Sequence, residues 1–189
     1  EVQIRSKLQH LWATAVETMG TFLGQALKSR LGDKAWLDFF STVASAFASI
    51  ENTDLLPKHK SMSQKEIFKK VALMNDELQV LEKIRAYSVA VNEINKKGTS
   101  DTGWSYHLII LNSPAKTVQI KAYKRGSIKQ ATDDYAKGEA ESIKNGGKIE
   151  AVLVSAGPLS ALRQAYPNFF LDVSEFVSRV EFIIAESKK

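Results

Sequence analysis

Residues 106–123, YHLIILNSPAKTVQIKAY, are where this chain stops reading as helix and starts reading as sheet. Tyr106 to Leu111 is a run of bulky apolar and aromatic residues, the composition a strand favours. Asn112-Ser113-Pro114-Ala115-Lys116 supplies turn residues. The chain then returns from Thr117 to Tyr123, with Val118, Ile120 and Ala122 alternating against Gln119, Lys121 and Tyr123. That period of two puts one face of the returning strand in a core and the other in water. The stretch predicts a β-hairpin, and the chain upstream of it is predominantly helical in period, so the chain reads as α+β.

Downstream, a helix is expected from about Ser127 to Lys144, stopped by Asn145-Gly146-Gly147. AVLVSA, residues 151–156, is wholly apolar, the texture of a strand at the centre of a sheet. Pro158 opens a short helix through Ala165. Asp172 and Glu175 fit the cap of a closing helix that turns Phe176, Val177, Val180, Ile183 and Ile184 inward. Residues 104–189 thus form a small β-β-α-β-α-α extension, a three-stranded sheet with helices on one face. His107 reads as a satisfied sheet residue. The Tyr166-Pro167-Asn168-Phe169-Phe170 run has two readings, core-filling rings at a turn or aromatics offered to a protein partner. The boundary before this unit falls in KKGTSDTG, residues 96–103, a small, polar stretch with two glycines.

Upstream, a first helix is expected from about Ser6 to Leu27. Leu8, Leu11, Trp12, Ala15, Met19, Phe22, Leu23 and Ala26 form its apolar stripe. Asp33 fits the N-cap of a second helix, Lys34 to Ile50, whose stripe is Trp36, Phe39, Phe40, Val43, Phe47 and Ile50. NTDLLPKHKSM, residues 52–62, is a loop broken by Pro57, and His59 within it reads as exposed. Ser63 and Glu66 fit a capping box opening one long helix to about Asn95. Its seam runs through Ile67, Val71, Met74, Leu78, Leu81, Ile84, Tyr87, Val91 and Ile94. Residues 56–103 then read as a connector helix and linker.

Charge is spread unevenly over the net +5. Residues 1–55 carry five basic and six acidic side chains, residues 56–103 nine and six, and residues 104–189 twelve and nine. A basic second half suits phosphate, RNA or an acidic protein, and interleaved signs equally suit a solvated surface. With no cysteine there is no disulfide framework and no thiolate metal site, which accords with a reducing compartment such as the cytoplasm. No apolar run reaches the roughly twenty residues of a spanning helix, so no membrane partner is expected. P-loop, G-x-G-x-x-G and G-x-S-x-G motifs are all missing from the sequence.

The remaining stretch is EVQIRSKLQHLWATAVE, residues 1–17. As a strand it would set Glu1, Gln3 and Arg5 on one face and Val2 and Ile4 on the other, core-facing one. On the following helix His10, Thr14, Glu17 and Thr21 share a polar stripe. By residue pattern this is either a polyanion or nucleotide pocket or a solvated edge strand beside an ordinary amphipathic helix.

The same residues resemble the end of the RelA/SpoT-type nucleotide synthetase domain of stringent-response alarmone synthetases. There a strand E-[IV]-Q-I-R-[ST] precedes a helix x-x-Q-H-x-W-A-x-x-x-E. The match is Glu1-Val2-Gln3-Ile4-Arg5-Ser6, then Gln9-His10, Trp12-Ala13 and Glu17, and TFLGQALKSRLGDKAWLDFFSTVASAFA continues the likeness over about fifty residues. VLVSAGPLSALRQAYPNFFLDVSEF resembles the C-terminal extension of longer members. The resemblance makes residues 1–55 the last part of a truncated nucleotidyltransferase-like synthetase domain.

It implies transfer of pyrophosphate from ATP to the 3′-hydroxyl of GDP or GTP, or, in toxin-type relatives, to a tRNA 3′ end. Glu1 takes the place of the catalytic glutamate, holding Mg²⁺ with an upstream aspartate and acting on the attacking hydroxyl. Gln3, Arg5 and His10 take substrate-binding positions, with Arg5 as a phosphate fork. Glu17 joins them through its shared stripe with His10. The family's basic ATP-gripping strand, magnesium-binding aspartate and guanine-stacking aromatic have no counterpart here. The chain also starts with Glu rather than Met in mid-strand. The expectation is therefore a fragment that is inactive alone. Residues 104–189 are a second candidate, for a regulatory module binding a protein partner or a second copy.

Overall fold

The computed structural model describes residues 4–96, 104–112, 115, 117–144, 149–155 and 169–189. The chain is α+β, with six α-helices and one three-stranded antiparallel sheet among the described residues. It divides into two compact units, Glu1–Gly20 with Gln25–Ile84 and Asn168–Lys189, and Thr21–Gly24 with Arg85–Pro167.

The first unit is helical. Ser6 opens α1 (Lys7–Leu23) through a reciprocal cap: its Oγ accepts from Gln9 N at 3.2 Å, and Gln9 Oε1 accepts from Ser6 N at 3.1 Å. Residues 4–6 carry no regular secondary structure, and Ile4 is 93% exposed, so the expected strand with a core-facing Ile4 is corrected here. Leu8, Leu11, Ala15 and Met19 are buried as their period predicts, and so are Ala13, Val16, Thr14 and Thr18. The two threonines are accommodated because their hydroxyls donate to the carbonyls of His10 (3.1 Å) and Thr14 (2.7 Å). Gly24, at φ +63°, ends the helix four residues before the expected Leu27. Gln25 N donates back to Gly20 O at 2.8 Å, the wrap of a Schellman stop.

Helix α2 (Lys34–Ile50) has the predicted limits, and Asp33 caps it by accepting from Ala35 N at 2.7 Å. Its stripe of Trp36, Phe39, Phe40, Val43 and Phe47 is buried. Trp12 Nε1 donates to Phe40 O at 2.8 Å, tying α1 to α2. The predicted long helix is two, α3 (Gln64–Leu78) and α4 (Val80–Lys96). Gln79 between them takes a left-handed φ of 54°, and Asn75 Oδ1 turns back to accept from Leu81 N at 3.1 Å. The hydrophobic seam runs through the break because apolar period records burial, not backbone continuity.

The closing helix α6 (Phe169–Glu186) also belongs to this unit, which corrects its expected place in the small C-terminal extension. Phe176 sets its ring 6.4 Å from that of Phe40 and 6.0 Å from that of Phe47, and Lys7 pairs with Glu175 at 2.8 Å. A stripe as heavy as Val173, Phe176, Val177, Val180 and Ile183 needs a large apolar partner, and aromatic α2 provides one. Asp172 lies inside the helix rather than at its cap, and Glu175 is spent on the Lys7 pair.

The second unit holds β1 (Trp104–Asn112), β2 (Thr117–Lys124), α5 (Ile128–Lys144) and β3 (Ile149–Ser155). Strand order is β2-β1-β3, with Ile109 opposite Ile120 on one side and Val152 on the other. The predicted hairpin is present. The apolar strand near residue 151, expected at the centre, is an edge, and β1 is central. An apolar run reports that both faces of a strand are covered, not that both of its edges are paired.

Helix α5 covers one face of the sheet. Leu108, Tyr123 and Ala131 are buried there, with Tyr106, Ile110, Tyr135, Ala151 and Leu153 packed around them. Gly138 lets the helix approach closely: a Cβ on it would lie 2.7 Å from the Cβ of Ala151. On the other face His107, Ile109, Leu111 and Val154 are buried. The rings of Phe22 and Tyr87, both in this unit, stack at 4.2 Å. Residues 97–103, the glycine stop at 145–147, the short helix from Pro158 and the run Tyr166 to Asn168 lie outside the described residues.

Candidate functional site

The expected site begins at Glu1 and Gln3, which lie outside the described residues. Arg5 is exposed, and His10 and Glu17 are half-buried on α1. Seven residues apart, His10 and Glu17 stand on one side of the helix two turns from each other. Between them Thr14 is fully buried with its hydroxyl turned onto His10 O, so the predicted polar stripe is not one continuous wet surface. Glu17 meets Lys28 at 3.4 Å, a cation the sequence reading did not assign to it. The magnesium implied by the resemblance would rest on Glu1. Among the described residues no three His, Asp or Glu side chains gather where they could hold a metal ion.

Two polar clusters that sequence reasoning missed are better defined. The first surrounds His59, which is 1% exposed rather than an exposed loop residue. A short 3₁₀ turn, Pro57–His59, tucks the ring against α2, where Nδ1 lies 2.8 Å from Ser45 Oγ. Nε2 faces Lys70 Nζ of α3 at 3.4 Å. An ammonium can only donate, so Nε2 is the acceptor and Nδ1 carries the proton it gives to Ser45. Ser45 Oγ also accepts from Leu56 N at 3.4 Å, so one hydroxyl holds two points of the loop. Burial pushes the His59 pKa down, and Lys70 and Lys58 push it further. Lys58 pairs with Asp38 at 2.8 Å and holds that carboxyl below its usual range, helped by Lys70 and Lys34.

The second cluster joins β2 to α5. Asp134 accepts from Lys121, from Tyr123 Oη at 2.9 Å and from Lys137 at 3.3 Å. These donors, Lys121 first, hold its pKa down to about 2. Beside it Tyr135 donates to Glu139 at 2.6 Å, and its pKa rises to about 12. Neither cluster has a sequence signature, because its members come from separate elements at no fixed spacing. His107 is buried with no hydrogen-bond partner at Nδ1 among the described residues, correcting its reading as a satisfied sheet residue, and burial lowers its pKa. The Tyr87 hydroxyl is likewise buried and without a partner among the described residues, and burial raises its pKa, with the charge of Glu150 adding to the rise.

Chemically, the His59 cluster is a clamp: Ser45 is fully buried, and both ring nitrogens of His59 are engaged. The Asp134 cluster is an anchored ion network. The α1 corner of Arg5, His10 and Glu17 carries exposed and half-buried titratable groups of the sort a ligand could meet. No family model matches the chain, and no curated protein matches it. No helix among the described residues is long and apolar enough to cross a membrane.

Proposed function

We propose that residues 1–55 are the last part of a RelA/SpoT-type synthetase domain in a cytoplasmic alarmone synthetase. The protein would transfer pyrophosphate from ATP to the 3′-hydroxyl of GDP or GTP. The observation that supports this reading is the register of α1. The Ser6–Gln9 cap starts the helix directly after Arg5, and the helix then carries His10 and Glu17 on one side, in the order the resembled motif requires.

In this reading Glu1 takes the hydroxyl proton and helps hold magnesium. Gln3, Arg5 and His10 meet the phosphates, and Glu17, with Lys28, sets the charge at the far end of the corner. The capped helix start adds a positive dipole end beside Arg5, which favours phosphate. The ATP-gripping strand of the family lies upstream of the matched run, so these 189 residues alone do not turn over.

The test compares two polypeptides incubated with ATP, GDP and Mg²⁺, this chain and one extended upstream to include the ATP-binding strand. The extended protein should form alarmone and this chain none, and Glu1→Gln should cut the rate by at least ~100-fold, the scale of a lost acid–base group. Alarmone made by the 189 residues alone, or an unaffected Glu1→Gln variant, would sink the reading. Pyrophosphate placed on tRNA with guanine nucleotides ignored would move it to the toxin-type branch.

A further inference from the structure

Strand β3 is an edge that lacks the usual protection. It pairs with β1 in unbroken register from Asn112–Ile149 to Tyr106–Ser155, and among the described residues no strand pairs with its other side. Glu150 is its one charged side chain. The opposite edge, β2, places Lys121 and Lys124 at exposed positions. Lysines on an edge repel a second copy of it, whereas a regular apolar edge is a template for another strand.

Helix α5 extends this surface. Asp134, bonded to Lys121 and Tyr123, marks the flank of the helix turned toward β2, and Gly138 lies over Ala151 of β3. At 3.6 residues per turn, Ile128, Thr132, Ala136 and Ile143 fall on the other flank, on the free side of β3. There Ile128 is 43% exposed and Ile143 81%. Glu139, an acid on that flank, is held by the Tyr135 hydroxyl.

The surface complements itself. All pairs in this sheet are antiparallel, so the strand that continues it runs antiparallel to β3. A second β3 does so about a two-fold axis through Val152, the register that uses all seven residues of the strand. Ala151 then faces Leu153 of the other copy, small against large, and the two Glu150 carboxylates stand about 13 Å apart. Because α5 runs back from β2 to the start of β3, Ala136, about two residues before Gly138, comes level with Val152. The two copies of α5 would therefore meet with a small residue near the axis and isoleucines toward both ends.

We infer that β3 and the adjoining flank of α5 are a docking surface for a second copy of this chain, joined edge to edge through Val152 into one continuous antiparallel sheet. A foreign strand is selected by charges or pockets beside the edge, and what stands beside this edge is apolar and matched by its own copy. The inference uses the second unit alone and is independent of the synthetase reading.

Sedimentation equilibrium of this chain from ~1 to ~300 μM, the range of a modest association, tests it. The mean mass should climb toward that of a dimer. Val152→Lys sets like charges opposite one another at the axis and should weaken association at least ~10-fold. Ile143→Glu, at a side chain too exposed to matter to the fold, should weaken it at least ~5-fold and decides the matter should circular dichroism show Val152→Lys unfolded. Leu73→Glu, at an exposed leucine of α3, should leave it unchanged. The chain has no cysteine, so Val152→Cys gives a single thiol, which mild oxidation should join into a covalent dimer, while Gln119→Cys on the β2 edge should stay monomeric. A monomer at every concentration would leave the edge to a foreign strand or to none and overturn the assignment. So would a dimer that Ile143→Glu leaves intact, one weakened equally by Leu73→Glu, or equal crosslinking at positions 119 and 152.

Discussion

At the scale of single residues, the buried His59 imidazole makes the stability of the fold depend on pH. Burial and two lysines disfavour its charged form in the folded protein and lower its pKa, and burial alone lowers that of His107. In the unfolded chain both titrate near the ordinary 6.5. Below that value the unfolded state binds protons that the folded state refuses, so stability falls as pH drops through 6.5 and levels off once the folded values are passed. Urea midpoints at about pH 7.5 and about pH 5.5 should show this loss, and His59→Gln should lessen it. An unchanged pH dependence in that variant would mean His107 or another group carries the effect. Ser45→Ala leaves the Nδ1 proton without its acceptor and should cost about 1–3 kcal/mol at neutral pH, measured by the same titration. Asp134 has the opposite sense: its contribution is present above about 3.8 and fades as pH falls toward about 2.

At the scale of elements, the α3–α4 break and the α5–β3 contact are each set by one side chain or its lack. Asn75→Ala removes the acceptor for Leu81 N at the start of α4 and should cost about 1 kcal/mol, as the loss of a helix cap does. Gly138→Ala would ordinarily stabilise a helix by roughly 1 kcal/mol through propensity. Here the new methyl would meet the Cβ of Ala151 at 2.7 Å, an atom on a paired strand that cannot rotate away. Overpacking of this kind costs about 1–3 kcal/mol, so the thermal midpoint should fall rather than rise. A higher midpoint would show that the helix can lift off the sheet at little cost.

At the scale of the whole molecule, the helical unit is closed by its last helix in sequence. Phe176 is fully buried between Phe40 and Phe47, so Phe176→Ala should remove about 3–5 kcal/mol from that unit. Truncation after residue 168 removes α6 entirely and should leave the aromatic stripe of α2 exposed. Such a chain should lose most of its helical circular dichroism at 222 nm and bind a hydrophobic dye. Retention of a cooperative helical melt would mean that α1, α2 and α3 suffice as a core. The Phe22–Tyr87 stack, being in the other unit, should survive either change.

The sequence by itself determined the elements whose signals are local. Helix α2 with its Asp33 cap, the Ser63–Glu66 capping box and the β1–β2 hairpin all follow from side-chain period and from hydrogen bonds spanning a few residues. It also carried the ordered likeness of residues 1–17 from which the α1 corner is proposed as a site. Tertiary structure alone decided the rest. It split the predicted long helix at Gln79, where one left-handed residue leaves no mark on hydrophobic period. It put the apolar strand at an edge, because apolar composition counts covered faces. It sent α6 back to α2, and it buried His59 under Ser45 and Lys70. In each case the deciding partner comes from a separate element, and neither spacing nor propensity encodes which distant surface a stripe will find.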